Sequence, residues 1–189
     1  MLTNLDVIDI AAEEAAESIL PYRRATPTAS PRRARFYAKV RRLFDFTLAL
    51  VLTLIGLPIV ALAAIAVKLT SRGPAFYTQT RVGRNGRVFT IYKIRSMVDK
   101  CESLTGPRWT IPGDPRITPV GWLLRRTHID ELPQLLNVLM GQMSLIGPRP
   151  ERPEFVAELG RAIPDYDKRH AVLPGITGLA QVQLAPDTD

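Results

Sequence analysis

Apolar positions are spread unevenly along this chain, and one stretch dominates. From Phe46 to Val67 there are twenty-two residues without a charged side chain. At about 1.5 Å per residue a helix of that length reaches about 33 Å, matching a bilayer core of about 30 Å. A helix that is apolar all round has no stable place on a water-soluble surface, so the run is expected in a membrane. Gly56 and Pro58 stand at its middle, where proline removes a backbone donor and crowds the preceding turn. Both flanks are basic: Lys39, Arg41 and Arg42 precede the run, and Lys68, Arg72, Arg81, Arg84 and Arg87 follow it. Positive charge marks the cytoplasmic side of a membrane segment, and here it marks both ends. Each half reaches only about 17 Å. These features predict a re-entrant helix broken near Pro58, entering and leaving on one face; a Pro-kinked single span is the alternative.

Beyond this segment the pattern changes. Pro74 to Met97 reads as a β-hairpin, with Asn85-Gly86 as the turn between Arg81-Val82 and Val88-Phe89-Thr90-Ile91-Tyr92. Cys101 to Pro119 is rich in Pro, Gly and polar residues and reads as a surface loop. Leu132 to Met140 has a helical pattern, with Leu132, Leu135, Leu136, Leu139 and Met140 along one face and Gly141 as its stop. Prolines at 148, 150, 153, 164, 174 and 186 predict short helices and extended turns thereafter. Before the apolar run, Leu5 to Leu20 is acidic and weakly amphipathic, and Pro21 to Pro31 reads as a linker. The expected class is α+β, mostly helical. It comprises an N-terminal extension (1–38), a re-entrant membrane helix (39–70) and a small cytoplasmic catalytic domain with a short β-hairpin (71–189).

Charge narrows the possible partners. The net charge of +7 suits phosphate in nucleic acid, in an anionic membrane surface or in a phosphorylated substrate. Eight Lys or Arg and no acid lie between Arg23 and Arg42, just before the apolar run, which favours contact with anionic inner-membrane lipids. The apolar run and the lack of nucleic-acid motifs argue against a nucleic-acid binder. Residues 1 to 20 carry five acids and no Lys or Arg, the opposite of a secretory leader. The single cysteine, Cys101, excludes an internal disulfide.

The chemistry is expected near Arg125-Arg126-Thr127-His128-Ile129-Asp130-Glu131-Leu132-Pro133-Gln134. Pro133 is tolerated only in a first helical turn, so a helix should start near Asp130. Two adjacent carboxylates then sit at a helix N-terminus, where the dipole favours an ionised Asp and free N–H groups attract phosphate. A plain helix start with an acidic first turn fits the same residues. The neighbours tilt the choice. Gly147-Pro148-Arg149-Pro150 holds an arginine in a rigid turn, and alternation along Ile91-Tyr92-Lys93-Ile94-Arg95 puts Lys93 and Arg95 on one face. Acids beside Lys and Arg supply the parts for metal-assisted phosphoryl transfer. His128 and His170 lack zinc-ligand spacing.

In its ordered motifs the chain resembles the small monotopic phosphoglycosyltransferases, the bacterial sugar transferase family. The resemblance rests on Arg42-Leu43-Phe44-Asp45, the proline-broken apolar run, Gly73-Pro74-Ala75-Phe76-Tyr77 and Gln79-Thr80-Arg81-Val82-Gly83. It continues through Tyr92-Lys93-Ile94-Arg95-Ser96-Met97, Asp114-Pro115-Arg116, Asp130-Glu131-Leu132-Pro133-Gln134, Gly147-Pro148-Arg149-Pro150 and Pro174-Gly175-Ile176-Thr177-Gly178. It implies transfer of a phosphosugar from a UDP-sugar to undecaprenyl phosphate, with release of UMP, in exopolysaccharide or lipopolysaccharide assembly. It further implies an Asp130 nucleophile, Glu131 as its partner, and Mg2+ held by Asp130 and Glu131. Lys93, Arg125 and Arg149 match basic positions that handle phosphate. A catalytically degenerate membrane partner of the same ancestry is the alternative reading.

Overall fold

The apolar run forms the body of α1 (Pro31–Thr70) in a computed structural model that describes residues 31–103, 106–111 and 113–183. The acidic segment Leu5 to Leu20 and nearly all of the Pro21 to Pro31 linker lie outside the described residues. After α1 come β1 (Phe76–Val82), β2 (Val88–Ile94), α2 (Pro119–Arg126), a 3-10 turn (Ile129–Gln134) and α3 (Leu135–Leu139). Then follow β3 (Ser144–Ile146), α4 (Pro153–Ala162), a second 3-10 turn (Tyr166–Ala171), β4 (Gly175–Thr177) and α5 (Leu179–Gln183).

Helix α1 is one continuous element through Pro58, so the break expected there falls within a helix and not between two. The physical reason lies on its inner face. Arg42, Asp45, Ala49, Thr53, Gly56, Val60, Ala63 and Val67 recur every three or four residues, and all are buried or half-buried. That spacing is one helical stripe. The missing hydrogen bond at proline costs about 3 kcal/mol, and turn after turn of packing on both sides offsets it. Small residues in the stripe let the backbone approach closely; a Cβ added at Gly56 would meet Leu132 at 3.7 Å. The outer face is apolar and open, with Leu43, Leu54, Ile55, Leu57 and Leu62 all more than 60% exposed. One long apolar helix, mostly uncovered by protein, is thus the membrane-associating feature of the chain.

The same helix contributes to both cores. Ala49 packs with Ile91, Leu135, Val138 and Met143, while Ala63 and Val67 pack with Ile94 and Leu124. Each fully buried Val, Leu or Ile contributes about 1.5–3 kcal/mol, so α1 is part of the folded domain rather than an appended anchor. Polar pins reinforce its N-terminal half. Arg42 donates to the last carbonyls of α3, reaching Leu139 at 2.8 Å, and Asp45 accepts from Ser144 Oγ at 2.7 Å and Leu145 N at 3.3 Å.

The expected hairpin forms. Strands β1 and β2 pair antiparallel from Phe76↔Ile94 to Val82↔Val88. Asn85 and Gly86 both take positive φ, the requirement that Asn-Gly meets at least cost. A second, parallel pair joins β3 to β4, an arrangement the proline-rich sequence does not announce. The helix expected over Leu132–Met140 is instead a 3-10 turn followed by a five-residue α-helix. Leu136 and Met140 are exposed, and Asn137 is fully buried in their place. Its amide donates to Thr90 O and Gln142 Oε1, both at 2.7 Å, and these bonds override the leucine periodicity.

Candidate active site

Three segments converge on a cleft of about 630 Å³: the end of β2, the loop from Met97 to Arg116, and the stretch from Arg149 to Phe155. Helix α2 closes one side, its N-cap Thr118 accepting from Gly121 N at 2.9 Å. Gly121 is required there, because a Cβ would lie 1.8 Å from Ser96 O. This contact seats Arg125, in the last turn of α2, at the cleft wall.

The 3-10 turn after α2 begins where His128 adopts positive φ, and it delivers Asp130 and Glu131 buried side by side. Their surroundings differ sharply. Glu131 Oε1 accepts from Lys93 Nζ at 2.7 Å and from Arg149 Nη2 at 3.0 Å. Burial alone would raise the Glu131 carboxyl, but Lys93 and then Arg149 overrule it and hold it at about 2. Lys93 is pushed below its usual value by burial, against the pull of Glu131. Asp130 lines the cleft at 5% exposure and makes no side-chain hydrogen bond or ion pair among the described residues. Burial raises its pKa, with Lys93 and Arg125 pulling the other way and Glu131 adding to the rise. The helix start expected at Asp130 is a 3-10 turn. A 3-10 turn followed by one short helix offers little dipole, and desolvation dominates.

Of the residues singled out in the sequence, the structure brings Asp130, Glu131, Lys93, Arg125 and Arg149 together. Arg125 Nε donates to Ser96 Oγ at 3.1 Å, and its terminal nitrogens reach Thr110 Oγ1 at 3.3 and 3.4 Å. Arg95 has a different task. It follows β2, as alternation predicts, but it is buried and binds the end of α1 through Ser71 Oγ at 2.7 Å, Ser71 O at 3.0 Å and Arg72 O. Its guanidinium ties the residues just past α1 to the cleft wall, which it lines together with Lys93.

Sequence reading missed much of the cleft. Arg81, buried enough to fall to about 10, donates to Pro150 O at 3.0 Å. Arg152 holds Glu102 at 2.9 Å across the cleft, and Trp109 and Phe155 form an aromatic wall. Arg116 grips Asp114 through Nε at 2.9 Å and Nη2 at 2.6 Å, and this pairing holds the Asp114 carboxyl at about 2. Arg81 and Arg116 stood within quoted motifs; Trp109 and Phe155 carried no local signal. In total nine Lys or Arg and four Asp or Glu line the cleft, so its field favours anions. Among the described residues no three His, Cys, Asp or Glu gather as a ready metal cage.

Comparison with known proteins places the chain in a family. The pattern described as bacterial sugar transferase matches residues 36–189. The undecaprenyl-phosphate glucose phosphotransferase of Komagataeibacter xylinus is 48% identical over 145 residues, 75% of this chain and 27% of that protein. The UDP-glucose:undecaprenyl-phosphate glucose-1-phosphate transferase of Caulobacter vibrioides is 47% identical, over 76% of this chain and 53% of its own length. The exopolysaccharide production protein PSS of Rhizobium leguminosarum bv. phaseoli is 44% identical, over 76% of this chain and 74% of its length. The chain thus spans about a quarter of one relative and about three quarters of another. With the match running from α1 through the Asp130–Glu131 pair to the chain's end, this protein belongs to the bacterial sugar transferase family.

Proposed function

We propose that this protein transfers a phosphosugar from a UDP-sugar to undecaprenyl phosphate, releasing UMP. The observation that carries the reading is Asp130: a buried carboxylate without a side-chain hydrogen bond or ion pair among the described residues, facing a cation-lined cleft, beside a second carboxylate held by two cations. Buried groups are normally paired, so an unpaired one at a cleft wall marks a functional position. An Asp130 oxygen attacks the sugar-bearing phosphorus. A bond from carboxylate to phosphorus forms, the phosphoanhydride bond breaks, and UMP leaves with the electron pair. An oxygen of the lipid phosphate then attacks the same phosphorus, which frees Asp130 and leaves the sugar on a lipid diphosphate. Desolvation strips Asp130 of water that would blunt its attack, while Lys93 and Arg125 favour its ionised form. Arg125 and Arg149 are placed to balance charge on the pyrophosphate and on leaving UMP.

Glu131 is a poor base at about 2, so its part is to fix Lys93 and Arg149. Both cations sit on Oε1, leaving Oε2 for a further partner. Magnesium fits this donor set, because it is usually held by one or two carboxylates plus substrate phosphates. Asp130 and Glu131 Oε2 would hold it, and it would supply Lewis-acid stabilisation of phosphate charge.

The domain is proposed to rest on the cytoplasmic leaflet of the bacterial inner membrane, with α1 re-entrant about Pro58. Continuous packing of α1 supports shallow seating. A full crossing would carry the Asp45 charge, with Ser144 and the strands against α1, into the hydrocarbon, where burying an ion costs several kcal/mol even when it is paired. Cysteines placed at Tyr37 and Leu69, in a Cys101→Ser background, should both be shielded from an impermeant thiol reagent in intact cells. Labelling of one end only would establish a crossing. For the chemistry, intact-mass measurement with UDP-sugar and no lipid should show an adduct of one phosphosugar, absent in Asp130→Asn. An Asp130→Asn variant that makes product at near wild-type rate would remove Asp130 from the mechanism.

A further inference from the structure

The cleft has two chemically distinct ends. Around Asp130 it is ionic; around Trp109 an aromatic pair lies among the Arg116–Asp114 and Arg152–Glu102 pairs. Trp109 is 53% exposed, although it lines the cleft and is backed by Phe155 with ring centroids 4.3 Å apart and planes 32° apart. Phe155 is buried and carries the Arg152 guanidinium 5.5 Å from its ring centre. Phe155 thus touches both the Trp109 ring and the Arg152 guanidinium, and of the two rings Trp109 is the exposed one. Nor is Trp109 a loose surface residue. Its carbonyl accepts from Arg116 Nη2 at 3.3 Å, and the next residue, Thr110, accepts from Arg125. Arg125 in turn acts electrostatically on Asp130, so the ring is tied by a short chain of contacts to the reacting end.

We propose that Trp109, backed by Phe155, is the surface on which the nucleobase of the donor stacks. This rests on the transferase reading. A nucleotide-sugar presents a planar base and two charged phosphates; the cleft presents a field of cations and two exposed aromatics, Tyr77 and Trp109, of which Trp109 is backed by a second ring. Stacking of a base on an aromatic side chain contributes about 1–3 kcal/mol. The ionic end then takes the phosphates, and the base fixes how far the sugar-bearing phosphorus reaches toward Asp130.

The test separates base from phosphate. UMP and inorganic pyrophosphate are titrated calorimetrically into the detergent-solubilised full chain. Trp109→Ala should weaken UMP about 10- to 100-fold and leave pyrophosphate within about twofold. Trp109→Phe should recover most of the UMP affinity, and kcat/KM for the UDP-sugar should fall in Trp109→Ala. Unchanged UMP affinity in Trp109→Ala overturns the stacking surface, and so does equal weakening of both ligands; UMP release by the wild type would still uphold the transferase reading. A wild type that neither binds UMP nor releases it overturns both.

Discussion

Two buried aspartates divide this protein into a region built for stability and a region built for chemistry. Asp45, on the inner face of α1, is 4% exposed and fully engaged: Ser144 Oγ, Leu145 N and, at 4.0 Å, Arg41 all address its carboxylate. Asp130 is 5% exposed and has no such partner among the described residues. Burying a charge costs several kcal/mol unless hydrogen bonds replace water. At Asp45 the fold supplies those bonds. At Asp130 it withholds them and leaves an open cleft in front of the group. The difference teaches that burial alone says little about an acid's role; what answers its charge decides.

The comparison breaks most visibly at Asp130 itself. Asp130→Asn should lower turnover by on the order of 10³-fold or more. It should leave stability equal or higher at neutral pH, since the amide removes a buried charge. The sign follows from the raised pKa. Wild-type stability carries the penalty when Asp130 is ionised and regains it as pH falls through that raised value, so the gap between variant and wild type should close on acidification. Chemical denaturation across pH measures it. A variant that unfolds easily at pH 7 would make Asp130 structural.

Glu131 sharpens the same contrast in the opposite direction. Its carboxyl is held at about 2 instead of 4.5. The resulting stability is present above about pH 4.5 and is lost as pH falls toward 2. Glu131→Gln should cost about 3 kcal/mol at pH 7, with the difference shrinking below pH 4.5. A pH-independent difference would mean that packing, not ionisation, accounts for the loss.

Asp45→Ala is expected to have the smallest effect, about 2 kcal/mol, because Ser144 and Leu145 lose a charged acceptor. UMP release per folded molecule should be retained. Loss of turnover without loss of stability would place Asp45 with the chemistry and erase the division drawn above.

Local pattern carried the sequence reading only where local physics governs. The hairpin was legible because Asn85 and Gly86 suit positive φ and the flanking residues alternate. The cluster of Asp130, Glu131, Lys93, Arg125 and Arg149 was legible because charged residues recur near prolines that constrain the chain. Helix α3 was misread, since the burial of Asn137 depends on carbonyls and amides some 5 to 47 residues away. Arg95 was legible as a neighbour of Lys93 at the cleft, but not its partner Ser71, just past α1 and 24 residues distant in the chain.

By itself, the sequence determined that one long apolar helix would form, that a hairpin would follow it, and that acids and cations would meet near Asp130. These rest on hydrophobicity, turn stereochemistry and charge, which neighbouring residues set among themselves. Only the tertiary structure decided that α1 runs through Pro58 along the domain, because packing on both sides outweighs one lost hydrogen bond. Only the tertiary structure gave Lys93 and Arg149 to Glu131 and, among the described residues, no such partner to Asp130. That assignment depends on which side chains the β2 end, the 3-10 turn and the Arg149 turn bring within about 3 Å, a distance that residue order does not encode.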